Sequence, residues 1–284
     1  MIKKDNITYG ELCREGCRVL QNAGIDDAKY DSLELLLFVF GMDRSRYLIN
    51  AGCQADSTKV SGYEEVIAKR ASHIPLQHIT GEAWFYGKCF KVSPAVLIPR
   101  QDTEILVDEA LKHLDAESCV LDMCTGSGCI LISLALKSCF KYGLGVDILS
   151  EALGIAEINA DNLKARNVFW QQSNLFENIN KNHKFDVIVS NPPYIRTAQI
   201  ENLSEEVRLH DPFIALDGKA DGLHFYREIT TKSSQYLNDG GWLIYEIGWD
   251  QADDVKSVML EGGYKEIQII KDLAGLDRVA AGHR

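Results

Sequence analysis

Residues 119–147, CVLDMCTGSGCILISLALKSCFKYGLGVD, carry one strand–helix–strand unit. CVLDM (119–123) is a short apolar run that ends near a carboxylate. Thr125, Gly126, Ser127 and Gly128 follow as a tight turn, Gly128 to Lys137 has the composition of a buried helix, and GLGVD (143–147) is a second apolar run ending on Asp147. Short apolar runs that alternate with helices imply an α/β fold, a mostly parallel sheet with helices on both faces. In such open sheets ligands bind beyond the carboxyl ends of the strands, where the strand order reverses. The polar residues at strand ends are therefore the candidates for chemistry.

The same rhythm continues toward the C-terminus. A helix is expected over Ser150 to Lys164, strands at VFWQQ (168–172), FDVIVS (185–190) and WLIYEIG from Trp242, and helices near 222–237 and 250–261. Tyr264 to Ile270 and Arg278 to Ala281 suit an antiparallel pair. Upstream the pattern is helical. Thr8 and Glu11 form a capping-box signature before Leu12, Gly16, Val19, Leu20 and Ala23 at helical spacing. Asp26 or Asp27 can cap a second helix in which Tyr30, Leu33, Leu36, Leu37 and Phe40 face inward, Asp43 opens a third, and Val60, Tyr63, Ile67 and Ala71 mark a fourth. Trp84 to Val92 is aromatic and β-prone, with Gly87-Lys88 suited to a two-residue hairpin turn. Thr103 can cap a helix reaching about His113. The expected organisation is an N-terminal helical domain (1–81), a β-hairpin linker (82–99) in which Trp84, Phe85, Tyr86 and Phe90 pack between domains, and an α/β domain (100–284).

The 284 residues hold 46% apolar and 25% charged side chains, as soluble globular proteins do. The opening MIKKDNITYGELCREG has a basic pair but no apolar run, so no secretory leader is expected and the cytoplasm is the default. Eight cysteines without a CxxC pair read as free thiols acting as small buried hydrophobes, and seven histidines without HxxxH or HExxH spacing give no metal site. The net charge of −11 lies mostly downstream, −2 over residues 1–82 and −9 over the remainder. With no basic run longer than two residues, duplex nucleic acid is a poor partner.

Three strand ends carry chemistry. The Thr125–Gly128 turn leads into a helix whose N-terminal N–H groups suit an anionic group, and glycine there admits a ligand to the backbone. Asp147 is placed to accept the hydroxyl protons of a ribose. Leu131 occupies the place of the third glycine in GxGxxG, which favours S-adenosylmethionine over a pyrophosphate dinucleotide. The decisive motif is FDVIVS followed by Asn191, Pro192, Pro193 and Tyr194. An amide or aryl amine is a poor nucleophile and must be held in line with the methyl it receives. The Asn191 side-chain oxygen and the Pro192 carbonyl can each accept one N–H, and Tyr194 can stack on the amine plane. That combination points to an amino-group methyltransferase.

These motifs, with ITGEAWFYGKCFKVSPAVLIPRQDTEIL, LDGKADGLHFYREI, YEIGWDQ and DLAGLDRVAAG, make the chain resemble the HemK/PrmC family of release factor glutamine methyltransferases from about residue 63 to the C-terminus. The resemblance implies a Rossmann-like class I S-adenosylmethionine-dependent methyltransferase sheet. It implies S-adenosylmethionine as donor and, as acceptor, the glutamine of the GGQ tripeptide of a class I peptide-chain release factor, giving N(5)-methylglutamine and S-adenosylhomocysteine in support of translation termination. Carried over, Cys124 to Gly128 line the methionine part of the donor, Asp147 binds its ribose, Leu175 lies beside the adenine, and Asn191 to Tyr194 hold the substrate amide, Asn191 also contacting the donor; the helical domain is implied to recognise the partner. The chain departs from the family pattern at Cys124, usually glycine, at Leu175, often aromatic, and at Asp211, usually glutamate. Arg100 reads as lining the site mouth or pairing with a carboxylate, and Glu246 as a hydrogen-bonding support. A DNA or RNA amino-methyltransferase sharing NPPY is disfavoured by the acidity, and a non-enzymatic nucleotide-binding module leaves the NPPY corner unexplained.

Overall fold

A computed structural model describes residues 6–284, so the expectation drawn from the basic pair Lys3-Lys4 lies outside the described residues. The chain forms two compact units, Met1–Gly81 and Glu82–Arg284. No helix among the described residues is long and apolar enough to cross a membrane.

The first unit holds α1 (Tyr9–Asn22), α2 (Ala28–Phe40), α3 (Arg44–Asn50), α4 (Ser57–Ala71) and α5 (Leu76–Thr80). Thr8 and Glu11 form the reciprocal capping box at the start of α1, and Asp43 caps α3 by accepting from the Arg46 N–H. Leu12, Leu20, Leu35, Leu36, Val60, Tyr63 and Ile67 close one core. Gly16 is required by packing, because a Cβ there would stand 2.1 Å from the Tyr63 hydroxyl. The core also buries an ion pair. Nε of Arg70 donates to Oδ2 of Asp31 at 2.6 Å, with side chains only 5% and 6% exposed, and Nη1 of Arg70 donates to the Ile74 carbonyl. Two expectations for α2 fail. Tyr30 is 49% exposed under the Arg44 guanidinium while Leu35 is buried in its stead, and Asp27 makes no side-chain cap. α2 is apolar around most of its circumference, so its periodicity did not define one face.

The second unit begins with a hairpin, β1 (Glu82–Phe85) and β2 (Lys88–Lys91). Its turn is Tyr86-Gly87, one residue earlier than the spacing suggested, with both residues at positive φ as a type I′ turn requires. Tyr86 tolerates that conformation because its N–H donates to Glu104 at 2.7 Å and its hydroxyl to Asp108 at 2.5 Å. Phe85 and Phe90 sink into this unit's own core, whereas Trp84 is 71% exposed. Of the eight cysteines only Cys129 is buried outright, and Cys53 and Cys139 are exposed.

After α6 (Glu104–Leu111) the sheet elements run β3 (Cys119–Met123), α7 (Cys129–Lys137), β4 (Tyr142–Asp147), α8 (Ser150–Leu163), β5 (Val168–Gln172) and β6 (Phe185–Ser190). Then come α9 (Glu205–His210), α10 (Phe213–Leu216), α11 (His224–Ser233), β7 (Leu237–Glu246), α12 (Ala252–Glu261), β8 (Lys265–Lys271) and β9 (Asp277–His283). The strands lie in the order β5-β4-β3-β6-β7-β9-β8, parallel except for β9, which is antiparallel to both neighbours. This is the mostly parallel, helix-flanked sheet that the resemblance implies. The chain winds outward from β3 through β4 to β5, then returns to lay β6 on the other side of β3. Their carboxyl ends, Met123 paired with Ser190, mark the reversal, and the Ser190 hydroxyl donates to the Met123 carbonyl at 2.7 Å. A crevice opens there for a ligand.

Candidate active site

A cavity of about 340 Å³ fills that crevice. Of the residues singled out by the sequence, Cys124, Thr125, Gly126, Ser127, Asp147, Leu175, Asn191 and Pro193 line it; Gly128, Pro192 and Tyr194 do not. Arg100 lines it as well, as do Thr103, Lys219, His224 and Phe225, which the sequence reading left aside as site residues.

The glycine-rich turn is shaped by its neighbours. Asp122 is fully buried at the end of β3, where it accepts the Thr125 hydroxyl at 2.6 Å. Burial pushes its carboxyl up to about 7. Gly128, at φ +77, begins α7, and a Cβ there would meet Trp170 at 2.8 Å. Gly126, at φ +55, has open space where a Cβ would stand and lines the cavity. Cys124 takes a left-handed conformation, φ +62, that glycine adopts without strain. Its backbone thus follows the course that glycine would, and burial holds its thiol well above the ordinary range.

Asp147 closes the opposite side of the turn. Its Oδ2 accepts the Gly126 N–H at 2.9 Å and its Oδ1 the Leu149 N–H at 3.0 Å. The carboxylate therefore supports the turn and starts the next helix, and its remaining lone pairs are available to hydroxyl donors. Burial raises its pKa despite those backbone bonds. Removing a hydrogen bond to a charged group typically costs about 1.5–3 kcal/mol, so Asp147→Ala is expected to weaken binding of S-adenosylmethionine about 10–100-fold in calorimetric titration. Unchanged affinity would take the carboxylate out of the nucleoside site.

The corner after β6 is pinned from several directions. Nδ2 of Asn191 donates to Oγ1 of Thr103 at 3.3 Å, and the Thr103 hydroxyl donates to Oε2 of Glu246 at 2.5 Å. The Tyr194 hydroxyl donates to Oε1 of the same carboxylate at 3.3 Å, and the Tyr194 carbonyl accepts from Nε2 of Gln251 at 3.1 Å. Pro192 and Pro193 are buried. Thr103 was expected to cap α6, yet it makes no side-chain cap; its hydroxyl is spent on Glu246, which lies 143 residues away in sequence. No local sequence signal could have revealed that pairing. Both readings of Arg100 hold together. It lines the cavity, and its Nη2 pairs at 2.6 Å with Asp211, whose side chain is 1% exposed. Aspartate in place of glutamate still reaches this guanidinium.

Comparison with known proteins gives the family and the fold. The PrmC N-terminal domain matches residues 11–81 and the methyltransferase small domain residues 101–209. A release factor glutamine methyltransferase of Geobacter sulfurreducens is 40% identical over 263 residues, covering 93% of this chain and 92% of its own. One from Fusobacterium nucleatum is 41% identical over 280 residues, covering 98% of this chain and 78% of its own. Among solved structures, a methyltransferase from Pyrococcus furiosus superimposes with a TM-score of 0.52 at 17% identity, covering 70% of this chain and 89% of that one, a likeness of fold alone.

Proposed function

The chain belongs to the release factor glutamine methyltransferase family, and on that premise we propose that it transfers the methyl group of S-adenosylmethionine to the side-chain amide nitrogen of the glutamine in the GGQ tripeptide of a class I release factor. One observation carries the reading: a tethered Asn191 amide at the β3/β6 crevice, in the same cavity wall as the Thr125–Gly126 turn and Asp147. The cavity suits the donor. Asp147 offers acceptors to ribose hydroxyls, the space beside Gly126 admits a ligand to the backbone, and Leu175 gives an apolar wall to an adenine.

S-adenosylmethionine supplies a sulfonium methyl, the electrophile. The protein's own residues do the rest by holding the nucleophile. Oδ1 of Asn191 and the carbonyl of Pro192 each accept one amide N–H of the glutamine. The Pro192 carbonyl takes no backbone hydrogen bond among the described residues, although Pro192 is itself buried and outside the cavity lining. Two acceptors fix the plane of the amide, and Tyr194, tied through its hydroxyl to Glu246, offers its face to that plane. Transfer of the sulfonium methyl would place positive charge on the amide nitrogen and leave the donor as S-adenosylhomocysteine, with one N–H proton passing to water. Oxygen acceptors already aimed at that nitrogen stabilise the change without reorganising.

The N-terminal unit, residues 1–81, is assigned to recognition of the release factor, and the cytoplasm, where translation ends, to the reaction. In support, α3 has no buried residue and leaves Leu48 and Ile49 bare. Incubation with donor and an intact release factor, followed by mass spectrometry of the GGQ peptide, should show one added methyl group on the glutamine. A folded release factor left unmodified, with methyl transferred to nucleic acid instead, would overturn the reading.

A further inference from the structure

The Asn191 side chain can turn either its oxygen or its NH2 group toward an acceptor amide, and only the oxygen can accept an N–H. What selects between the two lies behind it. A threonine hydroxyl has one hydrogen and two lone pairs, and an ionised carboxylate only accepts. The Thr103 hydrogen goes to Glu246 at 2.5 Å. Thr103 can therefore meet Asn191 only as an acceptor, so Asn191 must turn Nδ2 toward it, at 3.3 Å. Oδ1 is then the atom left for the substrate.

We infer that Thr103 and Glu246 are positioning residues that set the polarity of the Asn191 amide, one from the turn before α6 and the other from the end of β7. The inference rests on the amide methylation proposed above and names what keeps its acceptor oxygen in place. Glu246 holds both ends of the corner, since its second oxygen accepts the Tyr194 hydroxyl.

The direction of this relay depends on the charge of Glu246. Facing its carboxylate are Thr103 and Asp102 of the turn before α6, Arg278 of β9, Tyr194 after β6 and the Cys129 thiol of α7; the Tyr226 hydroxyl of α11 donates to its backbone carbonyl at 2.9 Å. Complete burial raises the Glu246 pKa above the ordinary 4.5, against the bonds from Thr103 and Tyr194 and the charge of Arg278. Once protonated, Glu246 becomes a donor to Thr103. The threonine hydrogen is then free for Oδ1 of Asn191, and the NH2 group turns to the substrate. Turnover thus holds above the raised pKa and is lost as pH falls through it.

The test compares Thr103→Val, Thr103→Ser and Glu246→Gln in the full-length protein, with a release factor that the wild type methylates. Thr103→Val should lower kcat by about 10–100-fold, the scale of a misoriented reacting group, with KM for the release factor and Kd for S-adenosylmethionine within about threefold of wild type. Thr103→Ser should recover most of kcat. Glu246→Gln can still accept from Thr103 while its NH2 group meets the Tyr194 oxygen, so it should keep measurable turnover and lose the acid limb of the kcat profile. Thr103→Val turning over within twofold of wild type, or an acid limb unchanged in Glu246→Gln, would overturn the inference while leaving the methylation intact. Should Thr103→Val fail to fold, the serine variant and the glutamine pH profile still decide it. A wild type that methylates no release factor fails at the earlier step and removes the inference with it.

Discussion

Replacing Asn191 by alanine is expected to lower kcat for release factor methylation roughly 10²–10³-fold, the loss typical of removing one preorganised polar contact to a transition state. The affinity for S-adenosylmethionine should stay within about twofold, because the nucleoside contacts are assigned to Asp147 and the Thr125–Gly128 turn and not to Asn191. The amide would keep the Pro192 carbonyl as its second acceptor, but one hydrogen bond leaves its plane free to rotate away from the sulfonium methyl. Single-turnover rates with saturating donor, beside a calorimetric titration, separate the two quantities. A variant that loses donor binding in proportion to turnover would place Asn191 in the donor site instead of at the reacting nitrogen.

In the N-terminal unit, Arg70→Met should be the most damaging single substitution. It removes the guanidinium that Asp31 meets at 2.6 Å in this core, and breaking a buried ion pair on one side costs about 3–5 kcal/mol. For a unit of this size that lowers its unfolding midpoint by more than about 10 °C. Hydrogen exchange localises the effect, since amides of α2 and α4 should lose protection while those of β3, β6 and β7 keep theirs. Asp31→Leu combined with Arg70→Met should recover much of the loss, because an apolar pair fills the same space with no charge to desolvate. If the double variant is no more stable than Arg70→Met alone, the cost lies in packing and not in the carboxylate.

How much of this was legible in the residues differs between the two units and between backbone and side chain. The strand–helix alternation after residue 118 was plain, because each buried parallel strand must be a short apolar run bounded by turn residues. The capping box at Thr8 was equally plain, since both partners lie within one turn. The hairpin turn lies one residue earlier than its spacing predicts because Tyr86 adopts a left-handed conformation supported by Glu104 and Asp108, 18 and 22 residues downstream. Tyr30 and Leu35 were exchanged for a similar reason: a helix apolar on most sides shows which face is buried only once its neighbours are in place.

The residues alone determined that a sheet of this kind would carry an Asn191-Pro192-Pro193-Tyr194 corner and a glycine turn at strand ends, since period, turn chemistry and strand polarity are local properties. Tertiary structure alone decided that Thr103 meets Glu246, that Arg100 meets Asp211, and that Nδ2 of Asn191 meets Thr103. The first two pairings join segments more than a hundred residues apart. A hydroxyl's single hydrogen finds its partner only when folding brings a distant carboxylate within about 3 Å, and no spacing along the chain encodes that distance.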